Sequence, residues 1–191
     1  MYKPHYALVA YVRQPVGEFI ENLRREVHPD LPLLPAHVTI LPPRQIVSSE
    51  DLSPELSETQ AVDHLTQLCR DVDPFEIVLG EVETFVPVTP TVFIRVAHGG
   101  YRLRELHDRL NQGILRYEEQ WPYMPHLTVV KMAEADQATA AYEIASQRWS
   151  EYTGSRRIQI EELTFVREGE NNTWLDLAPV HLGRSMVSGA R

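Results

Sequence analysis

Apolar residues fall at two spacings along this chain, alternating in short runs and recurring every three to four positions in longer ones. Tyr6 to Val12 reads as a first strand, and Pro15 to Val27 as an amphipathic helix with Phe19, Ile20 and Leu23 on one side. A proline-rich loop, His28 to Pro35, leads into a strand at His37 that Pro42-Pro43 should stop. The polar stretch Ser48 to Thr59 reads as an exposed connection, followed by a helix from Val62 to Arg70. Phe75 to Val86 and Thr91 to Val96 predict a hairpin, because Pro87 and Pro90 fit poorly within one continuous strand. The order then repeats. Tyr101 to Leu115 predicts a helix after the Gly99-Gly100 break, with Leu103, Leu106, Leu110 and Ile114 at helical spacing. A strand at His126 to Met132, a helix from about Glu134 to Trp149, and a hairpin of Ile158–Arg167 with Thr173–Leu177 complete the chain. The pattern predicts an α+β protein in which a strand-helix-strand unit, a helix and a hairpin occur twice, with mostly antiparallel sheets. Residues 1–183 are expected to form a single domain and 184–191 a flexible tail.

Within that duplicated order lies a duplicated motif. Ala36-His37-Val38-Thr39-Ile40 and Pro125-His126-Leu127-Thr128-Val129 share a His-apolar-Thr-apolar core, about ninety residues apart. Side chains alternate faces along a strand, so His37 and Thr39 should point one way while Val38 and Ile40 pack the other. The same alternation pairs His126 with Thr128. A lone histidine in a strand is usually a structural side chain. Core packing, however, gives no reason to place two polar pairs identically in two halves. If the pairs converge, they supply a general base, a general acid and two hydroxyl donors for a phosphate.

Composition narrows the partners. The formal net charge of −9 leaves only the isolated doublets Arg24-Arg25 and Arg156-Arg157, which argues against wrapping a long nucleic-acid duplex. A small phosphate ester, a cyclic nucleotide or an RNA terminus fits better. The single cysteine, Cys69, excludes an internal disulfide framework and a cysteine-based zinc site. His5, His28, His64, His98, His107 and His181 lack metal-ligand spacing, so no metal or other cofactor is expected. No apolar run is long enough to cross a bilayer and Met-Tyr-Lys-Pro-His lacks a signal-peptide core; a cytoplasmic monomer is expected.

The paired motifs resemble those of the 2H phosphoesterase superfamily, which includes 2′-5′ RNA ligase-like proteins and 2′,3′-cyclic nucleotide phosphodiesterases. Thr91-Val92-Phe93-Ile94-Arg95-Val96, Leu103 to Leu110, and Tyr123 to Lys131 are similar to that family's strand, helix and Pro-His-x-Thr strand with a trailing basic residue. Ala36 departs from the pattern, since a proline often stands there. The resemblance implies a bilobal, pseudo-symmetric fold with both motifs facing a central cleft. It also implies metal-independent hydrolysis of cyclic phosphates, or action on 2′-5′-linked RNA ends, with His37, Thr39, His126 and Thr128 catalytic.

Arg95 and Lys131 are candidates to add positive charge at the phosphate, although strict alternation would turn Lys131 to the other face unless the strand bulges. Tyr6, Tyr11 and Tyr123 are candidates to stack a base or ribose. Arg44 reads as loop surface, His107 as a residue on the outer part of its helix or one that caps the packing there, and the pair Glu118-Glu119 as a solvated face. A second functional class stays open, a catalytically idle module that binds a nucleotide or RNA end on the same fold.

Overall fold

The computed structural model describes residues 4–28, 34–47, 53–170 and 173–183. Strands β1 (Tyr6–Tyr11) and β2 (His37–Arg44) flank helix α1 (Pro15–Val27), and α2 (Pro54–Cys69) leads to β3 (Phe75–Thr84). Strands β4 (Thr91–His98) and β5 (His126–Lys131) flank α3 (Gly100–Leu110), and α4 (Ala135–Glu151) leads to β6 (Arg157–Ile160), β7 (Glu162–Glu168) and β8 (Trp174–His181). The strands form one eight-stranded antiparallel sheet in the order β6-β3-β4-β5-β2-β1-β7-β8. The two strand-helix-strand units thus meet at β5 and β2, with four strands on either side.

Only Glu161 separates β6 from β7, yet β6 is one edge of the sheet and β7 lies next to the other. The sheet therefore has to curl until its ends approach, which makes it a half-barrel. The expected strand Ile158–Arg167 is two strands that belong to opposite halves. No glycine or proline marks the break at Glu161, so periodicity alone runs through it. The expected β3–β4 hairpin does form, and α1 and α4 match their predicted spans closely.

Four other boundaries moved for identifiable reasons. Helix α2 starts at Pro54 because the Ser53 hydroxyl accepts from the Leu56 N–H at 3.3 Å and proline suits the first turn. From Pro54 onward, the expected exposed connection is thus helix. Its first part, 48–52, lies outside the described residues, as does the expected tail. Helix α3 stops at Leu110, and a 3₁₀ turn at Gly113–Leu115 follows, with Gly113 at φ 58°. Pro42 and Pro43 do not stop β2, because both stand opposite Ala7 in an irregularity of the β1–β2 ladder. Strand β8 runs on to His181 past Pro179, which a sheet edge tolerates.

All four helices contribute to one core on one face of the sheet, through residues such as Ile20, Leu65, Leu106 and Trp149. Helix α1 joins β1 to β2 but lies over β5, and α3 joins β4 to β5 but lies against β2. Each half is thereby stitched to the other from behind. Among the described residues, no helix is long and apolar enough to cross a membrane. The opposite face carries a small apolar cluster of Ala7, Val9 and Val166, flanked by Tyr11, Leu34 and Trp174.

Arg44 and Glu119 depart from their expected surface positions. Arg44 is 1% exposed; its guanidinium donates to Asn111 Oδ1 at 2.7 Å, the Leu115 carbonyl at 3.1 Å and Glu119 at 2.8 Å. A buried cation needs such a saturated shell, and removing it strands its carboxylate. Arg44→Met is therefore expected to cost about 3 kcal/mol in urea unfolding. A loss below about 0.5 kcal/mol would mean that Glu119 is solvated after all.

Candidate functional site

The two motifs meet where the halves join. Strand β5 pairs with β2 through Val38 opposite Leu127, both fully buried on the helix side. Carrying that register one residue each way sets His37 opposite Thr128 and Thr39 opposite His126, on the face without helices. The outer neighbours continue both rows: Tyr11 stands opposite His37 and Val9 opposite Thr39, while Phe93 faces Thr128 and Arg95 faces His126. Facing residues in an antiparallel pair have Cβ atoms about 5 Å apart, so the four polar side chains occupy a patch that one phosphate can span.

Each motif strand bulges at the same place. The β1 ladder passes from Thr39 to Leu41 and skips Ile40; the β4 ladder passes from Thr128 to Val130 and skips Val129. Ile40-Leu41 and Val129-Val130 are consequently buried as adjacent pairs. The second bulge resets the alternation, so Lys131 pairs with Thr91 and shares the face of Phe93, Thr128 and His126. Lys131 is exposed there. Arg95 is in register with His126, but its side chain lies over Gly80, with Nε 3.4 Å from Glu83.

Both imidazoles are oriented alike. His37 Nδ1 lies 2.7 Å from the Pro35 carbonyl and His126 Nδ1 lies 2.7 Å from the Met124 carbonyl, each two residues earlier. A carbonyl only accepts, so each neutral ring carries its proton on Nδ1 and leaves Nε2 as a free acceptor. The approach to His37 is tied to α1: Arg24 donates to the Leu34 carbonyl at 2.8 Å, and the Ala36 N–H donates to the Glu21 carboxylate. A proline at position 36 would have no N–H to give to Glu21.

Burial holds both rings neutral. His37 is pushed down to about 4, chiefly by desolvation, with Arg24 and the diagonally placed His126 adding to the effect against the Pro35 carbonyl and Glu21. His126 is also lowered by desolvation, opposed by its bond to Met124. Its wall is aromatic: Phe85 and Phe93 stack at 4.1 Å, and each meets the His126 ring edge-on at 5.2 Å. His37 meets the edge of Tyr11 instead, at 6.5 Å.

The three tyrosines part company. Tyr6 packs on the helix side, 4% exposed and stacked on Phe165, with its hydroxyl donating to Glu58 at 3.0 Å. It is one strand position out of phase with Tyr11 and cannot reach the site. Tyr11 does lie on the site face, where its hydroxyl donates to Asp176 at 2.5 Å. Tyr123 donates its hydroxyl to the Thr39 carbonyl at 2.7 Å, and one face of its ring is taken by His107 at a centroid distance of 4.1 Å. Of the two places expected for His107, the structure gives the packed one: it is 4% exposed and lies against Tyr123. His5 bonds Glu168, His64 faces the Gln112 carbonyl and His181 lies beside Glu162, all away from the motifs. Among the described residues, no three His, Cys, Asp or Glu side chains gather as a metal site.

Comparison with known proteins bears on this arrangement. The sequence profile of the 2′-5′ RNA ligase superfamily matches residues 12–172. A protein of Oceanobacillus iheyensis named "Putative phosphoesterase" is 29% identical over 132 residues, covering 69% of this chain and 73% of its own. The crystal structure of Escherichia coli LigT with NADP+ superposes with a TM-score of 0.65 at 15% identity, covering 96% of this chain and all of LigT. LigT with 3′-AMP gives 0.60 at the same identity and coverage. At these identities the two structures speak for the fold alone.

The depressed His37 makes stability depend on pH. Between its ordinary value of 6.5 and about 4, the unfolded chain binds a proton that the folded one refuses, so stability is lost as pH falls through that window. The urea midpoint is expected to drop from pH 6.5 to pH 4 and to drop less in His37→Gln. Parallel curves for the two proteins would show that His37 titrates as an ordinary exposed histidine.

Proposed function

This chain belongs to the 2′-5′ RNA ligase superfamily of 2H phosphoesterases, and on that premise we propose that it hydrolyses 2′,3′-cyclic phosphates, or acts on 2′-5′-linked RNA ends, without a metal. The observation that carries the reading is the paired placement of two imidazoles with free Nε2 atoms, each beside a threonine hydroxyl, on one face at the junction of β2 and β5.

His37, the ring pushed down to about 4, stays neutral across the physiological range and takes a proton from water through Nε2. The water oxygen attacks phosphorus, the bond from phosphorus to one ribose oxygen breaks, and His126 Nε2–H delivers a proton to that oxygen. A phosphomonoester and a free hydroxyl result, and the two imidazoles have exchanged protonation states. The bound phosphate anion favours the imidazolium form of His126, offsetting the desolvation that lowers it in the free protein. Thr39 and Thr128 donate hydroxyl hydrogen bonds to the non-bridging oxygens, and preorganised donors of this kind contribute about 3 kcal/mol each. Lys131 adds positive charge from the same face. With the 5′-hydroxyl of a second RNA in place of water, the same attack on the cyclic phosphorus breaks the bond to the 3′ oxygen, which takes the proton from His126, and the RNA ends are joined through a 2′-5′ linkage. A small phosphate-bearing ligand accords with the phosphate compounds bound in the LigT structures and with a net charge of −9.

The test is turnover of 2′,3′-cyclic AMP and 2′-5′ oligoadenylate in the presence of EDTA. Activity is expected to survive the chelator and to fall at least about 10²-fold in His37→Ala and in His126→Ala. Nucleotide binding without turnover in the intact protein would instead identify an idle binding module. The profile of kcat/KM should rise through about pH 4 and fall as His126 loses its proton below its ordinary 6.5, giving an optimum on the acid side of neutrality. A rate unchanged from pH 5 to 8 would refute the two-imidazole scheme. Lys131→Ala is expected to raise KM by roughly fivefold and leave the pH optimum in place; an unaltered KM would remove Lys131 from the site.

A further inference from the structure

Two successive carbonyls of the first motif strand are gripped from the other half of the molecule. The Tyr123 hydroxyl donates to the Thr39 carbonyl at 2.7 Å, and His107 Nδ1–H donates to the Ile40 carbonyl at 2.8 Å. The two rings are stacked, with centroids 4.1 Å apart and planes 4° from parallel. Ile40 is the residue that the β1 ladder skips, and β5 pairs with β2 at Val38 and, among the described residues, at none beyond it. These bonds therefore act where the strand ladders stop holding β2.

The grip is anchored from behind. Glu119 Oε1 lies 3.6 Å from His107 Nε2 and 2.8 Å from Arg44 Nη2, and Arg44 Nε donates to the Pro42 carbonyl at 2.9 Å within β2 itself. A closed circuit runs from β2 through Arg44, Glu119, His107 and Tyr123 back to β2. Tyr123 also stands three residues before His126, and the intervening Met124 supplies the carbonyl that orients the His126 ring. One short segment thus holds the first motif through Thr39 and aims the second through Met124.

We infer that Tyr123 and His107 are positioning residues, which set the His37–Thr39 pair against the His126–Thr128 pair without touching the substrate. The inference rests on the two-histidine reading above and adds to it what fixes the spacing of the pair. A displacement of about 1 Å between reacting groups can cost on the order of 10²-fold in rate. The loss of one hydroxyl from a ring that keeps its stacking partner is a much smaller disturbance to folding.

The experiment compares Tyr123→Phe, which keeps the stack and removes the bond, with His107→Gln, which keeps a donor for Ile40, and His107→Leu, which does not. Tyr123→Phe and His107→Leu are expected to lower kcat by roughly tenfold or more, with KM within about twofold and thermal melting near that of the parent. His107→Gln should recover most of the loss. In a His126→Ala background, Tyr123→Phe should cost nothing further, because the spacing no longer matters once one imidazole is gone. An unchanged kcat in Tyr123→Phe, or an equal loss in both backgrounds, would overturn the inference. The ring resonances of His37 and His126 supply a readout that needs no substrate: both sets are expected to move in Tyr123→Phe, and unmoved rings would also overturn it. A parent protein that turns over none of the tested esters would sink the phosphoesterase reading alone, and the resonance comparison would still decide the positioning.

Discussion

A single rung, Val38 opposite Leu127, brings the two halves of the sheet into register. Both residues are fully buried under the helices, so shifting either strand by one position would drive an apolar side chain into water and a histidine or threonine into the core. The hydrophobic side of the sheet thereby dictates the arrangement on its polar side. Helices α1 and α3, each crossing onto the opposite half, hold that rung closed from behind. The chemistry at the surface is a consequence of packing beneath it.

The same packing sets the charge state. The rings sit low enough in the sheet to be desolvated, and each has its Nδ1 proton committed to a backbone carbonyl two residues upstream. Desolvation dominates, so the resting site offers two neutral acceptors and no fixed imidazolium. An anion placed between the rings is what makes protonation of one of them favourable. On the phosphoesterase reading proposed above, that anion is a phosphate ester, bound by a protein whose own net charge is −9.

Alternation made the core of the site legible in the sequence. His37, Thr39, His126 and Thr128 share a face because strands have period two, and the duplication suggested that the halves correspond. What lay beyond reach was whatever depends on a single skipped residue or on contacts distant in sequence. The bulges at Ile40 and Val129 cannot be seen in an apolar doublet, yet they decide that Lys131 returns to the site face. Tyr6 and Tyr11 look alike from the sequence; one is five positions from the other and therefore on the opposite face. Arg44 follows two prolines and reads as loop, but its partners Asn111, Leu115 and Glu119 come from a segment some seventy residues away and draw it into the interior. Helix α2 was different: Ser53-Pro54 is a start signal that the polar composition obscured.

Nearly identical motifs end in unlike surroundings, and that difference arises in the strands beside them. On the second side, the neighbour of His126 is Arg95, and two phenylalanine rings close around the imidazole. On the first side, the neighbour of His37 is Tyr11, whose hydroxyl is taken by Asp176, and the floor continues into Ala7, Val9 and Val166. Lys131 likewise has Pro42 as its counterpart at the same distance from the motif histidine. The second half thus adds Lys131 and an aromatic wall, whereas the first has Arg13 over the Tyr11 ring and Arg24 among the charges acting on His37. A duplicated fold gives two imidazoles in equivalent frames, and only unequal neighbours can then divide the work of accepting and donating a proton between them. On the two-histidine reading proposed above, the flanking strands, where the two halves differ, are what distinguishes the base from the acid.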